Sequence, residues 1–533
     1  MSLHEKQAEL ERVLWNGADV LRSKMDANEY KNYLLGLIFY KYLSDKFLVE
    51  AYDLINDEKP EKIEDAQEAY EKICETDDIK KLLSELNDTL RYTIKPEHTY
   101  TKFSQKVASN KFQREQLQEA FNIIEQSDPM FEGIFADVDL YSTRLGNVDT
   151  KQSQTISELI RELDQADFME AEGNILGNAY EYLIGQFASE TGKKAGEFYS
   201  PAGPSEIVAR TSILGQENKC GLTIYDACMG SGSLLLRVKN YANEPENISY
   251  YGQELMVSTY NLARMNMFLH GIAPENQHLH VGDTLDDDWP TTHETEFDMV
   301  CMNPPYSAKW SAVEGFAQDE RFIDFNGNLA PKSKADYAFL LHGLYHLKNT
   351  GTMSIILPHG VLFRGASEGK IREQLLRNGN IYAVIGLPAN LFYNTSIPTC
   401  IMVLKKHRDG RDVLFIDGSK LFVKGKKQNT MSQEHIDHIM ELFTNRETVD
   451  KEAYLASFED IQKNDFNLNI PRYVDNFEEE EVADLSELVL EMNKIDEDIA
   501  ETQKDIVELM SQLSFNDKKD KSSIEQFLKI LEG

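Results

Sequence analysis

Residues 297–306 read FDMVCMNPPY, an apolar strand-like run followed at once by a polar, proline-rich turn. Apolar and aromatic residues favour a strand over 297–302, and the two prolines cannot continue its hydrogen bonding. The pattern predicts a buried strand whose carboxyl end carries Asn303, Pro304, Pro305 and Tyr306. Taken alone, the tetrapeptide also fits a purely structural Pro-Pro turn.

The residue types in this turn suit the capture of a planar amino group. The Asn303 side-chain oxygen can accept one N–H bond of an exocyclic amine, and the carbonyl of Pro304 can accept the other. Consecutive prolines fix the direction of that carbonyl, and Tyr306 offers a face on which an extruded base can stack. Held in this way, the amine can attack a methyl sulfonium without a metal or a covalent nucleophile.

Short β-rich runs alternate with helical stretches from residue 222 to about residue 417. This alternation predicts a doubly wound, Rossmann-like α/β sheet. Ligands of such sheets bind at the carboxyl ends of the strands. The predicted runs are residues 222–227, 248–253, 278–281, 297–302, 352–357, 381–387, 400–405 and 413–416.

A glycine-rich loop follows the first run, over residues 226–233, DACMGSGS. Gly230 and Gly232 let the backbone approach a cofactor closely. The loop lacks the G-x-G-x-x-G spacing, and the sequence has no Walker A pattern, so NAD and ATP are not favoured. Glu254 and Asp283 follow the second and third runs, where acidic side chains can bind ribose hydroxyls and an adenine amino group. Each acid alone is more often a loop residue or a helix cap.

Composition bounds the class of protein. The chain has 533 residues, 41% of them apolar, which predicts a globular protein of two or three domains. No apolar run near the start is long enough to span a bilayer, and five scattered cysteines fit a reducing cytoplasm. The net charge of −35 is unusual for a nucleic-acid binder. Either a local basic surface on this chain binds the nucleic acid, or a partner chain supplies most of the affinity. We favour the partner.

Three domains are predicted: a helical domain over residues 1–165, the catalytic domain over 166–475 and a helical tail over 476–533. The first domain shows no catalytic constellation and is interpreted as a docking domain. The turn of Asn303, Pro304, Pro305 and Tyr306 is called the clamp below. Residues 308–334 form a long polar segment directly after this clamp. This segment is either a mobile element near the substrate or a simple surface insertion.

Taken together, the motifs resemble the modification (M) subunit of type I restriction–modification systems, an S-adenosylmethionine-dependent adenine-N6 DNA methyltransferase. The resemblance covers nearly the whole chain. It rests on residues 196–201, 226–233 and 303–306 with Asp298, on a predicted helix over 175–188, and on residues 357–363, 387–399 and 467–473. Ala227 and Ser200 stand where the family often has Pro and Thr, and neither departure removes a side chain that the chemistry needs.

The resemblance implies a role for each motif. Asn303, Pro304, Pro305 and Tyr306 would hold the target base, and Asp226, Gly230 and Gly232 the methionine part of the cofactor. Glu254 would bind its ribose and Asp283 its adenine. The full set of cofactor residues implied is Glu197, Phe198, Tyr199, Ser200, Pro201, Asp226, Gly230, Ser231, Gly232, Ser233, Glu254 and Asp283. The aromatic loop at 196–201 fits a surface turn equally well as a bare pattern.

Apolar residues in the tail repeat at alternating spacings of three and four, which predicts a coiled-coil seam. The seam residues are Leu485, Leu488, Met492, Ile495, Ile499, Ile506, Leu509 and Leu513, with Thr502 at the one polar position. Packing on its own domain is one interpretation. The resemblance favours docking on a specificity (S) subunit that reads the DNA sequence, in a complex with a second M subunit and able to recruit a restriction (R) subunit.

Other functions share this equipment. The clamp also suits N4 of cytosine or the side-chain amide of a protein glutamine. Enzymes acting on glutamine are smaller and need neither the helical domain nor the tail. A methyltransferase-fold scaffold without catalysis is the alternative of another class, and the intact clamp and glycine loop argue against it.

Overall fold

The structure is a computed structural model that describes residues 3–169, 174–190, 199–291, 294–325, 327–393, 395–476, 485–512 and 526–528. The chain divides into two compact units, Met1–Asp475 and Asn476–Gly533. Helices of the first unit are α1 Leu3–Arg22, α2 Ala27–Asn56, α3 Ile63–Cys74, α4 Ile79–Leu90, α5 Tyr100–Ala108, α6 Arg114–Glu125, α7 Asp149–Leu163, α8 Ile175–Glu190, α9 Ala202–Ile213, α10 Ser233–Arg237, α11 Val257–Leu269, α12 Asp336–Tyr345, α13 Ala366–Asn378, α14 Gln433–Asn445 and α15 Phe458–Lys463.

Helices α1–α8 share one apolar core whose centre is α2. Aromatic side chains pack against one another in this core: Tyr40 meets Phe121 edge to face at 5.2 Å, and Phe121 stacks on Phe135 at 4.2 Å. Lys41 interrupts the apolar run of α2, yet it is buried. It pairs with Asp45 one turn later at 2.7 Å, so neither charge is left uncompensated.

Nine strands form one sheet in the order β3-β2-β1-β4-β5-β7-β6-β8-β9. Strands β1–β6 and β8 run in one direction, and β7 and β9 run antiparallel to their neighbours. The strands are β1 Thr223–Asp226, β2 Ser249–Glu254, β3 Gln277–Val281, β4 Phe297–Met302, β5 Leu347–Pro358, β6 Ile381–Gly386, β7 Thr399–Lys405, β8 Val413–Asp417 and β9 Ala453–Ala456. All eight predicted runs are confirmed as strands, and β9 was not predicted.

Helices cover both faces of the sheet, and neighbouring strand residues point to opposite faces. Ile224 joins a core with α9, α10, α11 and α14, whereas Tyr225 joins a core with α12 and α13. Burial on both faces explains why the central strands are continuously apolar rather than alternating. The doubly wound α/β fold is therefore confirmed.

Helix α11, which follows β2, packs on the helical core and on the sheet. The Phe268 ring stacks on Phe131 at 5.1 Å. The Asn261 side chain donates to the carbonyl of Gly133 at 3.0 Å, and Arg264 donates to the carbonyl of Glu132 at 2.9 Å. The helical region is thus fixed beside the loop between β2, which Glu254 ends, and α11.

The second unit is described over α16, Leu485–Ser511, and over residues 526–528. Along α16 the seam residues Met492, Ile495, Ile499 and Leu509 are exposed. Leu513 and the side chains of Leu485 and Leu488 lie outside the described residues. A membrane-spanning helix is not found in the part of the chain that the structure describes.

Candidate functional site

Four loops meet at the carboxyl edge of the sheet. Asp226 ends β1, Glu254 ends β2, Asp283 lies two residues beyond β3, and Asn303 directly follows β4. Because β3, β2, β1 and β4 are adjacent and parallel, these side chains are brought to one edge from positions up to 77 residues apart.

Two neighbouring cavities occupy this edge and share Cys228 and Asn303 in their walls. The larger has a volume of about 430 Å³, within the range of small-molecule sites. The smaller, about 10 Å³, has room for roughly one water. Glu254, Asp283 and Pro305 line the larger cavity; Tyr199, Ser200, Asp226, Gly230, Ser231 and Ser233 line the smaller.

The Glu254 carboxylate is held between two backbone amides. The N–H of Gly230 donates to one of its oxygens at 3.1 Å, and the N–H of Met256 donates to the other at 2.9 Å. Glu254 therefore ties the glycine loop to the start of α11. Its carboxylate is oriented toward the cavity that it lines, where it can accept hydrogen bonds from hydroxyl groups.

Asp226 is buried beneath the glycine loop. One of its carboxylate oxygens accepts the N–H of Cys228 at 2.9 Å. Burial raises the pKa of Asp226 to about 8, and the nearby charge of Glu254 acts in the same direction. This carboxyl is therefore largely protonated at neutral pH unless a cation binds beside it.

The charge of the cavity walls narrows the class of ligand. The acidic residues Glu254, Asp283 and the largely protonated Asp226, but no lysine, arginine or histidine, stand among the described residues that line the two cavities. Such walls repel phosphate groups and attract a cation. A cofactor bearing hydroxyls and positive charge fits these walls.

Asn303 is buried, and both ends of its amide have partners. Its nitrogen donates to the Ser200 hydroxyl at 2.9 Å, and its oxygen accepts from the Tyr306 hydroxyl at 2.8 Å. These partners set the amide orientation, and the oxygen keeps a second lone pair for another donor. The ring of Tyr306 rests edge-on against Phe392, with ring centres 6.1 Å apart.

A buried acid fixes the turn behind the tetrapeptide. Ser307 has a φ of +52°, in the left-handed region that side chains disfavour. The Asp336 carboxylate, at the start of α12, accepts the Ser307 N–H at 2.7 Å and the Arg364 guanidinium at 2.5 Å. Arg364 also bonds Glu368 at 2.7 Å. This network holds the strained turn in place.

The described residues of the segment, 308–325 and 327–334, fold back onto the sheet. Phe322 is buried, and the buried Arg321 donates to the carbonyls of Thr284 at 3.0 Å and Leu285 at 3.1 Å. Ala308, the first residue of the segment, lines the larger cavity. The segment thus connects the turn after β4 to the loop that carries Asp283, which favours a role beside the site over a simple surface insertion.

A group with metal-ligand chemistry lies behind this segment. Ligand atoms of Asp288, His342 and His346 lie within 4.8 Å of one another. The Arg321 guanidinium stands 3.3 Å from one ring nitrogen of His342, and the Tyr225 hydroxyl 2.8 Å from the other. Arg321 already supplies positive charge here and would repel an added cation. The group acts as a hydrogen-bonded support for the segment.

Some predicted residues lie outside the cavity walls. Pro304 is buried. Gly232, directly before α10, adopts a φ of +77° and lies beside Met267 of α11. Pro201 precedes α9, and Tyr306 packs on Phe392. Glu197 and Phe198, the first two of the implied cofactor residues, lie outside the described residues.

Sequence reasoning missed the apolar part of the wall. Leu255 and Met256 line the larger cavity and are 62% and 50% exposed. Thr259 and Phe339 line it as well. In the sequence the only signal is that Leu255 and Met256 directly follow Glu254; their exposure in the structure points to an apolar ligand group.

Comparisons with known proteins agree along the chain. The N-6 DNA Methylase family matches residues 171–482, more than half of the sequence, and the HsdM N-terminal domain matches residues 10–163. Together the two matches cover the helical region and the sheet that carries the cavities.

Individual relatives match over similar lengths. The chain is 35% identical to the methylase subunit of the type I restriction enzyme MpnII from Mycoplasma pneumoniae, over 94% of this chain and 95% of the relative. It is 32% identical to the MjaVIII methylase subunit from Methanocaldococcus jannaschii, over 91% and 81%. A solved type I methyltransferase subunit from Streptococcus thermophilus superposes with a TM-score of 0.86 and 55% identity, over 88% of this chain and 100% of that one.

Proposed function

The chain belongs to the methylase subunits of type I restriction–modification systems, within the N-6 DNA methylase family, and from this premise we propose how its own residues methylate DNA. The substrate is an adenine extruded from the duplex, and the cofactor is S-adenosylmethionine. The observation that carries the proposal is the position of Asn303. It stands in the shared wall of two acidic cavities, at the carboxyl end of β4.

The cavities fit S-adenosylmethionine in charge and polarity. Leu255 and Met256 offer apolar surface to its adenine, Asp283 an acceptor for the adenine amino group, and Glu254 an acceptor for ribose hydroxyls. Asp226 lines the smaller cavity, which must widen to admit the amino-acid end. Tyr199 and Ser200 form one wall of that cavity. When bound, the cofactor would supply the methyl group: the C–N bond to adenine would form as the methyl–sulfur bond breaks, and N6 would release one proton to water.

The target adenine is held by the turn after β4. The free lone pair of the Asn303 oxygen accepts one N6 proton, and the Pro304 carbonyl accepts the other. Ser200 keeps the Asn303 amide from rotating. Tyr306 presents ring surface to the extruded base, and the buried Phe392 supports the Tyr306 ring from behind. The gain in rate comes from orientation, since no group of the enzyme is modified.

Target choice is assigned to a separate specificity subunit. The exposed apolar seam of α16 supplies a docking surface, since unpaired coiled-coil seams bind partner helices. The assembly proposed has two copies of this chain and one specificity subunit, and it recruits a restriction subunit. Its work on host DNA places it in the cytoplasm.

Methyl transfer to DNA is tested by co-expressing the chain with its specificity subunit and following labelled methyl groups. Label in adenine supports the proposal, and label in N4 of cytosine keeps the clamp but changes the base. Label in a protein glutamine would move the substrate to another class. A chain that binds no S-adenosylmethionine in the complex would be a scaffold.

Protonation of Asp226 is expected to control cofactor affinity. With a pKa of about 8 in the unliganded protein, the ionised fraction grows about tenfold between pH 6 and pH 7. The affinity for S-adenosylmethionine should therefore rise about tenfold over that unit and level off near pH 8. Isothermal titration calorimetry at each pH measures it.

Asp226→Asn provides the control for this pH dependence. The variant keeps the shape of the side chain and should bind weakly with no rise between pH 6 and pH 7. The same pKa shift makes the unliganded folded state lose stability as pH rises from about 4 to about 8. An affinity that is flat in the wild-type protein over that unit would contradict the role of Asp226.

Asp336→Ala is expected to loosen the clamp without touching the cofactor. Ser307 loses its acceptor and Arg364 one of its carboxylate partners, so kcat should fall about 10- to 100-fold from misplacement of the turn. KM for S-adenosylmethionine should stay within about twofold. Steady-state methylation kinetics separate the two constants.

Two further variants define this effect. Asp336→Asn retains an acceptor for the Ser307 N–H and should recover most of kcat. Asp412→Ala breaks an ion pair of 2.6 Å with Arg446 just before β8, at the opposite edge of the sheet, and should leave kcat unchanged. Equal losses from the alanine variants at 336 and 412 would reduce Asp336 to a general stabilising role.

A further inference from the structure

The loop after β8 concentrates positive charge in a strongly acidic chain. Residues 418–430 contain Lys420, Lys424, Lys426 and Lys427 and no acidic residue, whereas the whole chain carries −35. All four lysines are exposed. A local basic surface of this kind is the electrostatic footprint of phosphate binding.

The fold places this loop at the same edge as the clamp. Strand β8 runs parallel to β6, so residues 418–430 leave the sheet at its carboxyl edge. The Gly418 N–H donates to the carbonyl of Gly386 at 3.0 Å. Asn429 donates through its backbone to Asn390 at 2.8 Å and through its side chain to Ala389 at 2.9 Å. The loop is therefore fixed to the segment that follows β6.

That segment carries Phe392, whose ring contacts Tyr306 of the clamp. A continuous series of contacts thus joins the basic loop to the proposed base site. Strands β4 and β8 are four positions apart in the sheet, about 19 Å at the usual strand spacing. On a duplex this distance corresponds to about five or six base pairs.

The tip of the loop has a defined shape. Val423 and Thr430 exchange backbone hydrogen bonds of 2.8 and 3.0 Å, which close the turn that presents Lys424, Lys426 and Lys427. A Cβ at Gly425 would lie 1.9 Å from the carbonyl oxygen of Gln428, so the turn requires glycine there. The three lysines are held together on a closed turn rather than spread along an open chain.

We propose that this turn binds the phosphate backbone of the DNA duplex beside the extruded base. The inference rests on the proposed function. It assigns part of the affinity for DNA to this chain, rather than all of it to the specificity subunit. The contact is one of charge: each lysine that neutralises a phosphate releases a counterion and adds about 0.9 to the salt dependence of binding.

The test replaces Lys424, Lys426 and Lys427 together by glutamine in the complex with the specificity subunit. Binding of a labelled duplex of arbitrary sequence is measured over a range of salt concentrations. The slope of log affinity against log salt should become shallower by about two to three, and affinity at low salt should fall at least tenfold. Cofactor affinity should not change.

Two matched variants serve as controls. Lys59, Lys62 and Lys80 are exposed among acidic residues of the helical region, and their triple glutamine variant should keep the wild-type slope. Arginine at 424, 426 and 427 preserves the charge and should keep it too. An unchanged salt slope in the 424/426/427 glutamine variant overturns the proposed phosphate contact. If the wild-type complex methylates DNA in the same experiment, the proposed function stands.

A third outcome points to another partner. If the 424/426/427 glutamine variant fails to co-purify with the specificity subunit, the turn binds an acidic protein surface and the DNA contact is overturned. Absence of methylation by the wild-type complex would instead contradict the proposed function. A shallower slope in that same experiment would still support phosphate contact by the turn.

Discussion

Replacing Asn303 with alanine is expected to lower the rate of methyl transfer by about a thousandfold. Its side-chain oxygen is the proposed acceptor for one adenine N6 proton, and the loss of a single well-placed hydrogen-bonding group in an active site has effects of about 10²- to 10³-fold. The alanine also frees Ser200 and Tyr306 from their bonds to the amide. Single-turnover methylation by the assembled complex measures the chemical step.

Binding of S-adenosylmethionine to the Asn303→Ala variant should stay within a few fold of wild type, because Glu254, Asp283 and Asp226 remain. Asn380 provides a matched control. It is a buried asparagine that bonds the carbonyls of Lys405 and Lys406 just before β6, at the opposite edge of the sheet. Asn380→Ala should cost stability but leave the rate per folded molecule unchanged. A rate within tenfold of wild type in Asn303→Ala would remove the clamp from the mechanism.

Charging the seam of α16 is expected to abolish assembly. Ile495 and Ile499 are 52% and 49% exposed on one side of the helix, where a partner helix would bury them. Aspartate at both positions would place two charges in that contact. Co-purification of the specificity subunit should be lost, and with it sequence-directed methylation. S-adenosylmethionine binding by the catalytic unit should persist.

Leu490→Asp is the matched control on the same helix. Leu490 is 69% exposed, and at 3.6 residues per turn it lies on the side away from the seam. This variant should assemble normally. Normal assembly by the Ile495→Asp/Ile499→Asp protein, or equal loss from Leu490→Asp, would contradict docking through the seam.

The fold was largely predictable because its central strands are buried on both faces. The sequence predicts a strand over residues 297–302, and β4 has the same ends. The strand ends at Met302 because the prolines of Asn-Pro-Pro cannot continue its hydrogen bonding. Strand β5 begins five residues before its prediction, at Leu347, through the polar residues Lys348 and Asn349. Strand β9 is a four-residue edge strand in which two residues are alanines, a residue type that does not favour strands, so its sequence shows no β-rich run.

A site residue could be predicted from the sequence only where it lies at the carboxyl end of a predicted strand. Asp226, Glu254, Asp283 and Asn303 meet that condition, and the parallel sheet brings them to one edge. The partner of Ser307, Asp336, lies 29 residues along the chain and bonds a backbone group that no motif marks.

The basic turn was hidden by the total charge of the chain. A net charge of −35 favoured a partner as the source of DNA affinity. Only the sheet order, which puts β8 beside β6 and its loop beside Phe392, brings Lys424, Lys426 and Lys427 near the clamp. Sums of charge carry no information about position.

Mass spectrometry of nucleosides from host genomic DNA is the most direct test of the central claim that Asn303 presents adenine N6 for methylation. The chain is expressed with its partners, either as wild type or as Asn303→Ala. We predict N6-methyladenine in the wild-type DNA and its loss in the variant, with the complex still assembled. Equal N6-methyladenine in both, or a loss confined to N4-methylcytosine, would contradict the claim.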